Sequence, residues 1–214
     1  MSSLKLKSNT SLICCSYIKD AIENGHLECA EREYISLQDF WIKYDDPQSD
    51  ACYDLFSNLV AVIEKHDVDM LDLLLRKTDE RYNVLIASDD ENNTLLHHAT
   101  KNSDPFIFKL LLKNGANIMA KNILGDTVLH EAAYNGCLEI LDIITQSREF
   151  KAQDNINLKN KEGKSALFYA CLGDNLGCVE LLLKNGAKKD FDIDQFSEEV
   201  EELFRRIGIQ ELNT

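Results

Sequence analysis

The chain is short of several things. It has two prolines, one tryptophan and no Cys-x-x-C pair in 214 residues. No apolar run approaches the length of a membrane span. The N-terminus lacks the uninterrupted apolar stretch of a secretory signal. Residues 1–18 carry only Lys5 and Lys7 as charges, a faint likeness to a transit peptide without its arginines. Basic residues are scarce overall, 23 against 37 acids, for a net charge of −14. An acidic surface repels phosphate, which argues against nucleic acid and anionic membrane and suits a basic partner or plain solubility. The seven cysteines (14, 15, 29, 52, 137, 171 and 178) are odd in number and lack metal-ligand spacing. They read as reduced thiols of a cytoplasmic or nuclear protein, several of them small core residues. The sequons at Asn9 and Asn92 then carry no meaning. With 44% hydrophobic residues, the chain can bury a core, and wholesale disorder is excluded.

What the chain does have is self-similarity. Thr94–Ala99 (TLLHHA), Thr127–Ile140 (TVLHEAAYNGCLEI) and Ser165–Ala170 (SALFYA) share one pattern, with LLLKNGA recurring at 110–116 and 181–187. A period near 33 residues marks stacked helix–turn–helix units. These segments resemble the ankyrin repeat family. The resemblance implies an all-α ankyrin-repeat solenoid of stacked helix–turn–helix units with short β-hairpin loops.

Taken in order, residues 1–11 are expected to be a flexible N-terminus. Residues 12–56 read as a degenerate capping repeat, with Asn24-Gly25-His26 as its turn, plus a polar connector that Pro47 keeps from being helical. Trp41 is expected to pack on that cap. Repeats fill 57–189, with starts near 57, 94, 127 and 165. The unit at 57 rests on periodicity alone, with His66-Asp67 as its turn. The extra residues fall at 77–87 and 145–156, where insertion is tolerated because loop closure costs only about 0.6 kcal/mol per doubling of length. Residues 190–214 hold a capping helix and tail, with Val200, Leu203, Phe204 and Ile207 on one stripe.

Residue types within the repeats have reasons. Thr94, Thr127 and Ser165 sit where a hydroxyl can cap the inner helix. Ala99, Ala132, Ala133 and Ala170 are small where inner helices approach. Asn92, Gly125 and Gly163 occupy a loop position that wants positive φ.

No catalytic constellation emerges, and no cofactor or metal is expected. Gly163-Lys164-Ser165 looks like the end of a phosphate-binding loop, but Leu158 stands where its first glycine belongs. His97 and His130 recur at one repeat position and suggest a metal pair. The competing reading has them brace the loops through backbone and hydroxyl groups, and Phe168 at the third equivalent position favours that.

The family resemblance places partners on a concave face of loop tips and inner-helix positions. Here those are Asp90, Glu91 and Lys101; Lys121, Ile123, Leu124, Asp126 and Tyr134; and Lys159, Lys161, Lys164 and Leu172. A loop tip ought to be polar, so Ile123-Leu124 with Tyr134 behind it stands out as a binding patch, unless an insertion folds over it. Charge is uneven: residues 151–189 carry seven bases and four acids, whereas 190–214 carry two and eight. The chain therefore reads as a non-catalytic protein-binding module, monomeric when free, whose partner could carry a basic segment. It would be a small regulator or inhibitor that occludes or bridges that partner. The inserted loop after repeat four and the acidity resemble inhibitors of Rel-type transcription factors. A regulatory subunit of a kinase and an adaptor in a larger complex fit the same residues.

Overall fold

The computed structural model describes Ile22 and residues 50–77, 84–151 and 155–208. The expectations for 1–21 and 23–49, among them Trp41 and the first capping turn, lie outside the described residues.

Each inner helix is opened by its own sequence. Thr94 and Thr127 adopt extended backbone ahead of Leu95–Lys101 (α3) and Val128–Tyr134 (α5), and Ser165 does so ahead of Ala166–Leu172 (α8). The Ser165 hydroxyl accepts the Phe168 N–H at 3.4 Å. In the two histidine repeats the ring takes over. Nδ1 of His97 accepts the Thr94 backbone N–H at 3.2 Å and lies 2.9 Å from its hydroxyl, and His130 repeats this on Thr127 at 3.2 and 3.0 Å. A backbone N–H can only donate, so Nδ1 is bare and Nε2 carries the proton. That proton points to the next repeat, at the carbonyls of Asp126 (3.4 Å) and Leu158 (3.1 Å). One residue thus caps its own helix and ties down its neighbour's loop.

A tight turn follows each inner helix and needs one left-handed residue. His66, Ser103, Gly136 and Asp174 fill it, all at φ between 53° and 71°. At Gly136 the neighbourhood forbids a side chain as well, since a Cβ would sit 2.5 Å from Asn175 Oδ1. The outer helices then start: Val68–Lys77 (α2), Pro105–Lys113 (α4), Leu138–Gln146 (α6) and Leu176–Lys184 (α9). Asp67 accepts the Met70 N–H at 2.9 Å, and Asp104 accepts those of Phe106 and Ile107 at 3.0 Å, so both cap in the ordinary way. Asn175 instead donates backwards, to the carbonyls of Ala133 (2.9 Å) and Tyr134 (2.7 Å) in the preceding repeat.

The first inner helix (α1) runs Asp50–Glu64. It begins seven residues ahead of the start near 57, so residues 50–56 are helical and not connector. No glycine or proline lies between Pro47 and Pro105, so nothing in the chain stops the helix from reaching back. Inner helices α1, α3, α5 and α8 stack in one row and outer helices α2, α4, α6 and α9 in a second. The core lies between the rows. Ala99, Ala132, Ala133 and Ala170 are fully buried where inner helices meet, and Leu71, Leu74, Leu111, Leu141 and Leu182 fill the outer side. Truncating one such leucine to alanine costs about 2–5 kcal/mol.

Three loops between repeats form hairpins, two closed by an antiparallel contact (Ser88 with Thr94, Lys159 with Ser165) and the middle one by the Asn122 N–H donating to Asp126 O at 3.0 Å, and no β-strand occurs among the described residues. Each is rigidified from within. Asp89, Asn122 and Asn160 accept the backbone N–H groups two and four residues on, at 2.7–3.0 Å. Asn92, Gly125 and Gly163 take the expected positive φ. Successive hairpins are also joined, the Ile123 N–H donating to Glu91 O (2.9 Å) and the Lys161 N–H to Leu124 O (3.0 Å).

The 145–156 insertion forms a single helical turn, Arg148–Lys151 (α7), with Phe150 buried beside α6, and a 3-10 turn at Asn155–Asn157. Beyond the last repeat, Phe191 and Phe196 meet Phe168 edge-on at 5.5 and 5.3 Å. Ser197 caps Glu198–Ile207 (α10), which lies against α9 and buries Val200, Leu203 and Phe204. Ile207, expected on that stripe, is 41% exposed because it sits in the last turn, before Gly208 reverses the chain.

Candidate functional site

The sequence points to a face built from hairpin tips and inner helices, and the structure sorts its residues into three groups. Ile123, Leu124, Tyr134 and Leu172 are apolar and open, at 44, 50, 53 and 52% exposure. The described helical turn of the 145–156 insertion packs at α6, and the patch is exposed. Asp90, Glu91, Lys101 and Lys121 are exposed polar neighbours.

The lysines of the last repeat are exposed or partly so, but each is engaged within the chain. Lys159 pairs with Asp190, Lys161 donates to the Ile123 carbonyl at 2.7 Å, and Lys164 lies 3.8 Å above the Phe168 ring. The basic stretch at 151–189 is therefore partly neutralised by its own surroundings.

Asp126 differs from its expected exposure. It is buried at 7%, and its carboxylate accepts the Asn160 side-chain N–H at 2.9 Å. Its place in the loop, directly before Thr127, turns the side chain toward the next hairpin, where it locks the stack. Asn93, at the same position one repeat earlier, is likewise buried and accepts from Asn122 at 3.4 Å.

Sequence reasoning missed Glu131. It lies on α5 between His130 and the paired alanines, turned toward a concavity of about 360 Å³ between α3, α5 and α8. Lys101, Asp126, His130, Tyr134 and Tyr169 also line it. The Tyr134 and Tyr169 rings meet at 85° with centroids 6.1 Å apart. Glu131 Oε2 is buried with no hydrogen-bond partner. Burial pushes the carboxyl up to about 7; the Lys101 ammonium pulls the other way, while Asp126, Glu91 and Asp89 add to the rise. The available signal was an acid on an inner helix flanked by small residues, a pattern that does not by itself distinguish a rim carboxylate from an enclosed one.

The histidines are not arranged as ligands. Both nitrogens of His97 and His130 are engaged in hydrogen bonds, and burial pushes His97 down to about 4 and lowers His130. His98 bonds Asp89 at 3.1 Å. The described thiols are not activated: burial raises Cys171 to about 12 and Cys178 to about 11. Cys137, which burial also raises, lies 2.9 Å from the Ser103 hydroxyl in the turn of the preceding repeat. No described helix is long and apolar enough to cross a membrane.

Comparison with known proteins agrees with this geometry. The family model for ankyrin repeats (3 copies) matches residues 58–155 and 119–194. The chain is 33% identical over 59% of its length to the nuclear factor NF-kappa-B p105 subunit of Gallus gallus, covering 13% of that protein. It is 30% identical over 56% of its length to the human transient receptor potential cation channel subfamily A member 1, covering 10% of it. It is also 30% identical over 63% of its length to human NF-kappa-B inhibitor alpha, covering 42% of it. The chain thus spans less than half the length of each of these relatives, and they share the repeats and not one activity. With the capped inner helices, the left-handed turns and the bridged hairpins in hand, this chain belongs to the ankyrin-repeat family.

Proposed function

We propose that the chain is a non-catalytic protein-interaction module, working in the cytoplasm or nucleus, that occludes or bridges a partner through its concave face. The observation that carries this reading is the apolar patch of Ile123, Leu124 and Tyr134. These side chains are about half exposed, and the core beneath them is complete without them. Exposed apolar groups rimmed by charge mark interaction surfaces, and aromatic residues dominate their energetics. The rim here is Asp90, Glu91, Lys101 and Lys121. The test is affinity capture with the wild type and with a Leu124→Ala/Tyr134→Ala double variant. Each truncation weakens binding by about 1–2 kcal/mol and leaves the unfolding temperature unchanged. A partner held equally by wild type and double variant rules the patch out.

A more specific reading is regulation of a Rel-type transcription factor. Its support is the likeness to NF-kappa-B inhibitor alpha, whose name states what it inhibits, and to the p105 subunit. A purified Rel-type dimer retained by this chain, and released by the double variant, is the expected result. No retention by the wild type removes that partner and leaves the module itself in place.

A further inference from the structure

We propose that the concavity between α3, α5 and α8 is a socket for one basic side chain, arginine or lysine, of the protein segment that the concave face binds, with Glu131 as its counter-ion. This rests on the reading of that face as the protein-binding surface, and it adds what the partner must bring. Four features of the site converge on a cation.

The first is the orphaned acceptor. An ionised carboxylate only accepts hydrogen bonds, and Glu131 Oε2 is buried with none. A buried polar atom left unmade is costly, and a ligand that donates to it recovers that cost. The second is charge. Asp126, Asp89 and Glu91, from the two neighbouring hairpins, act on Glu131 with negative charge, against the ammonium of Lys101 on α3, while Lys121 acts on the adjoining His130. His130, on the same helix, is kept neutral chiefly by burial, and its Nδ1 already accepts the Thr127 N–H. An anion would be repelled, and a neutral ligand would leave the carboxylate uncompensated. The third is the wall. Tyr134 is half exposed, and it and Tyr169, whose rings meet edge-to-face, line the concavity with aromatic side chains of the kind a cation is attracted to. The fourth is size. About 360 Å³ is at the small end of binding pockets, and suits one long side chain entering from an extended segment. Such a side chain lays its methylenes against the tyrosines and delivers its charged head to the carboxylate.

The coupling to protons makes the proposal testable. Empty, the site holds Glu131 largely protonated below neutral pH; a cation seated against it requires the ionised form, so binding expels a proton. The experiment is isothermal titration calorimetry of the full chain with a blocked hexa-arginine peptide, at physiological salt, in buffers of different ionisation enthalpy. Wild type is expected to gain about tenfold in affinity between pH 6 and 8 and to release close to one proton per peptide near pH 6, falling toward about half near pH 7. Glu131→Gln is expected to lose both the proton release and most of that pH dependence. Equal affinity and equal proton release in Glu131→Gln would place the peptide elsewhere on the acidic surface and overturn the socket. So would N-acetylarginine amide binding as tightly as the peptide, which would make the occupant a small cation. Either failure leaves the Leu124/Tyr134 capture result untouched, so the two readings are separable.

Discussion

Replacing Glu131 with glutamine keeps the shape of the side chain and removes an ionisation that the fold opposes. The carboxyl moves from 4.5 to about 7 on folding, chiefly through burial. The sign follows from which state holds the proton. Below pH 4.5 both folded and unfolded chains carry it, and the residue is neutral toward stability. Between 4.5 and about 7 the unfolded chain gives up its proton first, so stability falls as pH rises, and above about 7 the full penalty is in place. A rise of this size corresponds to about 3 kcal/mol, a ceiling because the side chain keeps some contact with solvent. Glu131→Gln is therefore expected to stabilise the protein by up to about 3 kcal/mol near pH 8 and by less than about 1 kcal/mol near pH 5. At about 2–4 °C per kcal/mol for a chain of this size, the gain in unfolding temperature is several degrees. Urea unfolding of both proteins at the two pH values measures it, and the histidine contributions cancel in the comparison. The reasoning is refuted if the variant and the wild type differ by the same amount at both pH values. A residue that costs stability where the protein works is what a ligand socket entails.

Two further outcomes follow from burial. His97, held down to about 4, contributes stability that is complete above pH 6.5 and is lost as pH falls toward 4, by about 3 kcal/mol; a His97→Gln variant, which cannot titrate, should lose less on acidification, and an identical loss would contradict the assignment. Cys171 and Cys178, raised to about 12 and 11, should resist iodoacetamide in the native protein near pH 8 and react once it is unfolded; peptide mass spectrometry showing fast native alkylation of Cys171 would overturn their reading as inert core residues.

How much of this was legible depends on how far apart the interacting residues are. Helix caps act over three or four positions, so TLLH, TVLH and SALF display them directly, and Gly125 and Gly163 just ahead mark the hairpins. The patch residues Ile123, Leu124 and Tyr134 were legible too, since an apolar loop tip is anomalous wherever the loop lies. The start of α1 was not, because the family pattern is missing there and only the absence of helix breakers back to Pro47 could have extended it. The engagement of Lys159 and Lys161 was equally hidden, their partners being an aspartate and a carbonyl brought in by other loops, whereas Lys164 meets Phe168 only four positions on.

The sequence by itself determined that the chain stacks helix pairs at a period near 33 residues, which side chains cap them, and that a loop tip is greasy. Each of those facts is contained within one repeat. Only the tertiary structure decided which polar side chains are enclosed, because the walls around a residue come from the repeats on either side. Asp126 is buried by Asn160, 34 positions on, and Asn175 holds Ala133, 42 positions back. Glu131 becomes an enclosed acid only when α3 and α8 close over it. A solenoid writes its framework locally and its electrostatics between neighbours, and it is the second that sets what this face can bind.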